Sequence, residues 1–139
     1  MSARYTIFDH TADLGVEIYG KTLPELFANA AFAIFDIITD LSIVRTTEER
    51  QVVVEGEGRE DLLVNYLREI LYLFNGEGLL LKEFSIMKMD PNHLEAQVSG
   101  EPFDPARHRI NMEIKAVTYH QVTVGNTAEG WTGRVIFDV

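Results

Sequence analysis

The residues best suited to do chemistry in this chain are concentrated in one short segment near its start. Asp9, His10 and Asp13 fall within five positions, between strand-like runs at 4–8 and 14–19. Carboxylates this close repel one another, and they resist burial unless a cation neutralises them. Carboxylate oxygens are also the ligands that calcium and magnesium prefer in proteins. The segment therefore predicts a site for a hard divalent cation.

A second acidic segment lies at the other end of the sequence. The run 135–137 is apolar, Asp138 follows it, and the sequence ends on Val139. If the last strand lies beside the first, Asp9, Asp13, Asp138 and the carboxylate of Val139 converge on one point. The alternative is that the first two acids cap a loop and Asp138 is solvated. Spacing alone favours that alternative, because acids in loops are normally exposed.

Lys115 and His120 lie in a run that alternates like a strand, on opposite faces of it. Near the acids they would bind an anion or balance charge. A histidine beside a carboxylate, as His10 is beside Asp9, can act as a general base. For His10 and His120, structural hydrogen bonding at strand ends is the more common role. The sequence contains no His-Glu-x-x-His pattern, no nucleophile-elbow serine and no phosphate-binding glycine loop. These residues by themselves indicate no reaction.

Composition narrows the class of protein. The 139 residues carry a net charge of −10, with 22 acidic against 12 basic side chains. Because nucleic-acid binding needs a dense basic surface, we expect no direct contact with nucleic acid. The lack of cysteine excludes disulfides, thiolate metal sites and a cysteine nucleophile. No signal-peptide pattern or membrane-spanning apolar run is present, so we expect a cytoplasmic protein without a membrane partner.

The hydrophobic pattern predicts two helices and several strands in one domain spanning 1–139. Apolar residues at helical spacing, each run preceded by a start signal, predict helices at 23–38 and 59–75. Residues of period two predict strands at 4–8, 14–20, 51–55, 79–89, 94–99, 110–117, 119–125 and 131–138. Helices early and strands late favour an α+β fold, with two helices packed on a largely antiparallel or mixed β-sheet in a single compact domain.

Several motifs, taken together, resemble the archease family. They are Asp-His-Thr-Ala-Asp-Leu-Gly at 9–15, Asp-Leu-Leu…Tyr-Leu at 61–67, Lys-Ala-Val-Thr-Tyr-His at 115–120 and the closing Arg-Val-Ile-Phe-Asp-Val at 134–139. Each motif is weak alone, but their shared order and spacing are specific, and the likeness runs essentially end to end.

The resemblance implies an accessory protein and not a stand-alone enzyme. Archeases activate the RtcB-type RNA ligase of tRNA splicing: they promote guanylylation of the ligase, allow multiple turnover and broaden its nucleotide use. The family's metal site carries over onto Asp13, Asp138 and Val139, with calcium as the implied ion and magnesium or manganese as alternatives. Asp9 and His10 belong to the same motif, as metal ligands or as residues that hold the loop.

Two other classes of function stay open at this point. A small metal-dependent phosphoester hydrolase would use the same carboxylates to hold a metal-bound water. A chaperone-like interaction module would act through apolar or sheet-edge surface, and its activity would not depend on Asp13.

Overall fold

Two long helices and seven strands make up the part of the chain that the structure describes. The computed structural model describes residues 3–10 and 12–139, and of Asp9 and His10 it describes the backbone alone. The elements follow in the order β1 (Tyr5–His10), β2 (Asp13–Gly20), α1 (Leu23–Ile38), β3 (Glu48–Glu55), α2 (Arg59–Asn75), β4 (Leu79–Asp90), β5 (His93–Pro102), β6 (Ala116–Thr127) and β7 (Gly130–Asp138). Within these residues, neither helix is long and apolar enough to cross a membrane.

Both helices begin and end where the sequence predicts. The hydroxyl of Thr22 accepts from the backbone N–H of Glu25 at 3.2 Å, and the Glu25 carboxylate accepts from the N–H of Lys21 at 3.2 Å. These two bonds form a capping box in which the Glu25 carboxylate binds the N–H of Lys21 instead of that of the N-cap residue Thr22. They satisfy backbone donors that would otherwise be unpaired at the helix start. At the start of α2, Asp61 accepts from the N–H of Glu57 at 2.8 Å. Local capping therefore fixes both helix starts.

The α+β class is confirmed, and the strands divide into two sheets. One sheet has the order β1-β2-β7-β6 and the other the order β3-β5-β4. Every strand pair is antiparallel. The last strand lies beside β2, so the expectation that it neighbours the first strand is wrong by one position. The two strands still belong to one sheet because β2 lies between them.

The predictions for the C-terminal strands need correction. The predicted strands at 110–117 and 119–125 are one strand, β6, preceded by a segment without a ladder. Ile110 makes only an isolated bridge to Thr39, and Ile114 is 1% exposed. The alternation of Ile110 and Ile114 reflects burial against the end of the core and not pairing in a ladder. The side-chain amide of Asn75, at the end of α2, donates to the Ile114 carbonyl at 3.1 Å and holds this segment in place. Strand β3 also begins three residues before the predicted start, at Glu48, which pairs with Gly100 of β5.

A single hydrophobic cluster joins both helices to both sheets. Helix α1 contacts β2 in the first sheet and β4 in the second, and α2 likewise contacts β6 and β3. In the middle of this cluster the rings of Phe27 and Tyr66 lie 6.0 Å apart between centroids. Tyr66 is completely buried, and its hydroxyl has no hydrogen-bond partner among the described residues. A buried hydroxyl without a partner costs free energy.

A buried ion pair fastens the loop that follows β5. Glu101 is 6% exposed and accepts from the Arg107 guanidinium at 2.7 Å and from the backbone N–H of Arg45 at 2.8 Å. The ring of His108 lies 3.0 Å from the same carboxylate through Nε2. Its Nδ1 accepts from the N–H of Asp104 at 2.9 Å, which places the ring proton on Nε2. The bond from Arg107, aided by those from Arg45 and His108, lowers the pKa of Glu101 from 4.5 to about 2.

Replacing Tyr66 by phenylalanine should stabilise the protein. Tyr66→Phe removes the unpaired hydroxyl and keeps the ring, so we expect the free energy of unfolding to rise by about 1 kcal/mol. Urea denaturation of the purified protein measures it. Tyr5→Phe is the matched control, because the Tyr5 hydroxyl donates to Asp36 at 2.7 Å and its loss should lower stability. Equal destabilisation by both substitutions would show that the Tyr66 hydroxyl has a partner.

The Glu101 carboxylate should make stability depend on acid pH. Because its pKa is lower in the folded protein than in the unfolded chain, its stabilising contribution is complete above about pH 4.5 and is lost as the pH falls toward 2. We expect Glu101→Gln to lower the free energy of unfolding at pH 7 by roughly 3 kcal/mol, since it leaves the partly buried Arg107 guanidinium without its anion. Denaturation series at several pH values should show a shallower acid dependence in this variant than in wild type or in Glu77→Gln. Parallel curves for all three would contradict the assignment.

Candidate functional site

The first predicted acidic segment forms the turn of a hairpin. Strands β1 and β2 pair antiparallel, and His10 lies opposite Asp13 at the last position of the ladder. The connection therefore consists of residues 11 and 12 alone. Ala12 has a φ of 62°, a left-handed conformation that tight hairpin turns require and that side chains other than glycine rarely adopt. Asp13 leads directly out of this strained turn.

The second acidic segment runs alongside the first. In the β2–β7 ladder Leu14 pairs with Phe137 and Val16 with Val135, so Asp13 and Asp138 each lie one residue beyond the last pair, at the same end of the two strands. Asp13 is half-buried and Asp138 is exposed. The pairing therefore brings the main chains of Asp13 and Asp138 to the same corner of the sheet, and the convergence of their carboxylates stays a prediction.

Val139 continues from Asp138 and is anchored beside it. Its side chain is half-buried and packs against the core cluster, so its main chain stays next to the end of β7. We call Asp13, Asp138 and Val139 the acidic tip. The ladder pairs Asp9 with Leu14 and His10 with Asp13, which puts the backbone of both at the same end of the sheet. Their side chains lie outside the described part of the structure.

The structure brings Lys115 to the acidic tip and places His120 farther along β6. The backbone N–H of Lys115 donates to the Asp138 carbonyl at 2.7 Å, and its neighbour Ala116 pairs with Asp138. His120 lies where the β6–β7 register breaks, between Thr118 and Thr123. Its N–H lies 3.3 Å from the Thr118 hydroxyl. Such a bulge turns side chains away from the regular alternation.

The donor chemistry of the acidic tip fits a hard cation only in part. Asp13 and Asp138 supply carboxylate oxygens of the kind that calcium binds. Among the side chains that the structure describes, however, no three His, Cys, Asp or Glu residues lie together in a way that could hold a metal ion. A cation at the acidic tip therefore needs further donors, for which the carboxylate of Val139 and the undescribed side chains of Asp9 and His10 are the candidates.

Sequence reasoning missed a stack of side chains on the outer face of the same strands. The Phe8 ring covers Gly15, where an added Cβ would lie 2.3 Å from ring carbon Cε2. The Arg134 guanidinium carbon lies 4.5 Å from the centre of this ring, and the guanidinium pairs with Glu17 at 3.3 Å. An aromatic residue opposite a glycine commonly covers that glycine. Recognising such a pair in the sequence requires knowing the register of the strands.

A second missed cluster ties α2 to β6. The Tyr119 hydroxyl donates to Asp61 at 2.6 Å, and the guanidinium of Arg68 lies 4.6 Å from the Tyr119 ring centre. This hydrogen bond holds the pKa of Asp61 below its usual range and raises the pKa of Tyr119. The cluster fixes β6 at the start of the irregular segment that carries His120.

The remaining histidines have structural partners on the other side of the molecule. His93 begins β5 in the second sheet, with Nδ1 3.1 Å from Glu55 and Nε2 2.7 Å from Glu95. Hydrogen bonds to these two carboxylates raise the pKa of His93. His108 belongs to the Glu101 ion pair. Neither histidine belongs to the sheet that carries the acidic tip.

Comparisons with known proteins show which family this sequence and this fold resemble. The model of the Archease protein family matches residues 5–139. The protein archease of Pyrococcus abyssi is 37% identical over 140 residues, covering 98% of this chain and 99% of the relative. That of Sulfurisphaera tokodaii is 34% identical over 137 residues, covering 98% and 99% of the two chains.

The fold also matches a solved structure. The solution structure of Methanobacterium thermoautotrophicum protein 1598 superposes with a TM-score of 0.83 at 37% identity, covering 98% of this chain and 99% of that one. The likeness thus holds in sequence, in fold and over the full length of each relative, and both predicted acidic segments fall within the matched residues. This chain belongs to the archease family.

Proposed function

We propose that this protein is an accessory activator of an RtcB-type RNA ligase in tRNA splicing. In this role it promotes guanylylation of the ligase, supports multiple turnover and broadens the nucleotides that the ligase accepts. It acts in the cytoplasm, as a binding partner and not as a catalyst. Family membership supports this role.

The observation that carries the proposal is the β2–β7 pairing. It brings Asp13 and Asp138, from opposite ends of the sequence, to the same end of two neighbouring strands. Asp138 is exposed and Asp13 half-buried there. Two acidic residues at this corner concentrate negative charge there. The surface is therefore suited to dock against a basic or metal-containing cleft.

The residues of the acidic tip have distinct parts in this docking. Asp138 presents its carboxylate at the end of β7, where the bond from Lys115 to its carbonyl fixes the main chain. Asp13 presents a second carboxylate from a hairpin whose two-residue turn leaves little freedom. Val139 is held by its packed side chain. Together they offer several oxygen acceptors from one corner of the sheet.

A divalent cation, calcium first and magnesium or manganese as alternatives, would be held by Asp13, Asp138 and the carboxylate of Val139. Such an ion supplies positive charge that offsets the repulsion between these carboxylates. Lys115 and His120 are supporting residues in this proposal, and Asp9 and His10 are further candidates for ligands.

Removing either carboxylate of the acidic tip should abolish activation while leaving the fold intact. In a multiple-turnover RNA-ligation assay with GTP, manganese and a matching RtcB-type ligase, we expect Asp13→Asn and Asp138→Asn to lose most of the stimulation. Both variants should unfold at a denaturant concentration close to that of wild type, because each residue lies at an end of its strand and outside the hydrophobic core cluster. Glu129→Gln is the matched control, since Glu129 lies in the β6–β7 turn at the opposite end of the same sheet.

Each other result of this assay has a definite meaning. Equal stimulation by wild type and both variants would support the ligase as partner and would contradict a role of the acidic tip in activation. No stimulation by wild type would refute the activator role. Phosphoester turnover by the purified protein alone, lost in the two variants, would instead support the hydrolase alternative.

Docking through charge should also depend on salt. Raising KCl from about 0.05 M to about 0.5 M shortens the screening length severalfold, so we expect the protein concentration for half-maximal stimulation to rise. The rate of the ligase alone, measured at each salt concentration, is the reference. Asp138→Asn should show a flatter salt dependence than Glu129→Gln, and identical slopes for the two would argue against electrostatic docking at the tip.

A further inference from the structure

The stack on the outer face of the first sheet crosses three strands. Phe8 belongs to β1, Gly15 and Glu17 to β2, and Arg134 to β7. The ring of Phe8 lies on Gly15, which is opposite it in the ladder. Arg134, opposite Glu17 in the next ladder, reaches over β2 to the same ring at 4.5 Å. Side chains of β1 and β7, which share no hydrogen-bonded ladder, are therefore in direct contact.

These three strands are the ones that carry Asp9, His10 and the two aspartates of the acidic tip. Asp9 and His10 follow Phe8 on β1, Asp13 precedes Gly15 on β2, and Asp138 follows Arg134 on β7. The stack thus lies within a few residues of each of them. A shift of β1 or β7 against β2 at the stack would change the relative position of the tip residues by a similar amount.

Strand β1 needs such an anchor. It is an edge strand of six residues, with a ladder on one side only. Its inner face is incompletely covered, since Ile7, opposite Val16, is 53% exposed. Short edge strands with little burial are the first parts of a sheet to open locally.

The glycine is required by close packing. An alanine Cβ at Gly15 would lie 2.3–2.7 Å from three carbons of the Phe8 ring, so the ring would have to leave its position. Across the other ladder Gly15 pairs with Ile136. Ile136 is completely buried yet lies outside the hydrophobic core cluster. The outer face therefore has a small buried centre of its own beside the stack.

We propose that the stack of Phe8 on Gly15, closed by Arg134 and Glu17, is a positioning element that aligns the acidic tip for docking. Phe8, Gly15 and Arg134 act through the tip and touch no ligand. This proposal rests on the proposed function for its biological consequence, but its structural content is independent of the ligase.

Two substitutions disturb the stack in different ways. Gly15→Ala displaces the ring, and Arg134→Gln removes the cation over the ring together with the ion pair to Glu17. Phe8→Leu in the Gly15→Ala background makes room for the added methyl group and should restore part of the alignment. Tyr19→Phe is the matched control, because it removes the 3.0 Å bond between the Tyr19 and Thr6 hydroxyls on the same two strands but away from the tip.

The first readout is amide hydrogen exchange, which needs no partner. We expect exchange at residues 8–14 to become roughly tenfold faster in Gly15→Ala and roughly fivefold faster in Arg134→Gln. Residues 60–73 of α2 should keep the protection set by global stability. Tyr19→Phe should leave the segment 8–14 within about twofold of wild type. Unchanged exchange at 8–14 in both stack variants would overturn the proposal.

The second readout is ligase stimulation at a temperature far below the unfolding transition. We expect the concentration for half-maximal stimulation to rise roughly tenfold in Gly15→Ala, with partial recovery in the double variant and no change in Tyr19→Phe. Faster exchange with normal stimulation would show that the stack supports the hairpin without positioning the tip, which refutes the positioning role. If wild type fails to stimulate, the activator role is refuted, and the exchange experiment still decides whether the stack aligns the hairpin.

Discussion

The antiparallel pairing of β2 with β7 is the constraint on which the rest of this protein depends. It joins residues from the beginning and the end of the chain, so it closes the longest loop in the fold and carries a large entropic cost. The core side of the pair compensates for that cost. Val16, Ile18, Val135 and Phe137 are all essentially unexposed and belong to the central cluster. The same register that buries these residues places the backbones of Asp13 and Asp138 at the same end of two neighbouring strands, so the position of the candidate site follows from core packing.

The two faces of this sheet differ in what they stabilise. The inner face is covered by the helices, whose apolar residues fill the space between the two sheets. The outer face is held by fewer contacts, among them the Phe8 ring on Gly15 and the Arg134–Glu17 pair. Exposed ion pairs and cation–π contacts each contribute modestly. Local order at the hairpin is therefore set by weak contacts, while global stability is set by the core, and the two can be changed separately.

Much of the architecture follows from the sequence because it depends on local signals. The helices at 23–38 and 59–75 have caps and apolar stripes within their own residues, and their predicted bounds are correct. The strands after α2 were harder to predict because period-two alternation arises from burial as well as from pairing. Ile110 and Ile114 alternate without forming a ladder. The division into two sheets, and the place of β7 beside β2 instead of β1, depend on long-range pairing that no local pattern encodes.

The candidate site shows the same division between local and long-range information. Charge density and residue type point to Asp13 and Asp138, and family resemblance connects them, but only the register shows that they lie at the same end of neighbouring strands. Sequence reasoning does not find the stack of Phe8, Gly15 and Arg134, because its members lie on three strands and none of them is a usual ligand. The roles of Asp9 and His10 stay predictions, because their side chains lie outside the described residues.

Backbone strain lies next to two of the predicted site residues. Among the described residues two non-glycine positions have a positive φ, Ala12 at 62° and Gln121 at 53°. Each is the immediate neighbour of a predicted site residue, Asp13 in one case and His120 in the other. Conformations of this kind persist only where the surrounding structure imposes them, and they concentrate at functional sites. At Ala12 the pairing of His10 with Asp13 leaves two residues to reverse the chain, and at Gln121 the interrupted β6–β7 register forces a bulge. A glycine would relieve either strain but would also loosen the segment, so a less flexible residue at these positions keeps the backbone next to Asp13 and His120 in a narrow range of conformations.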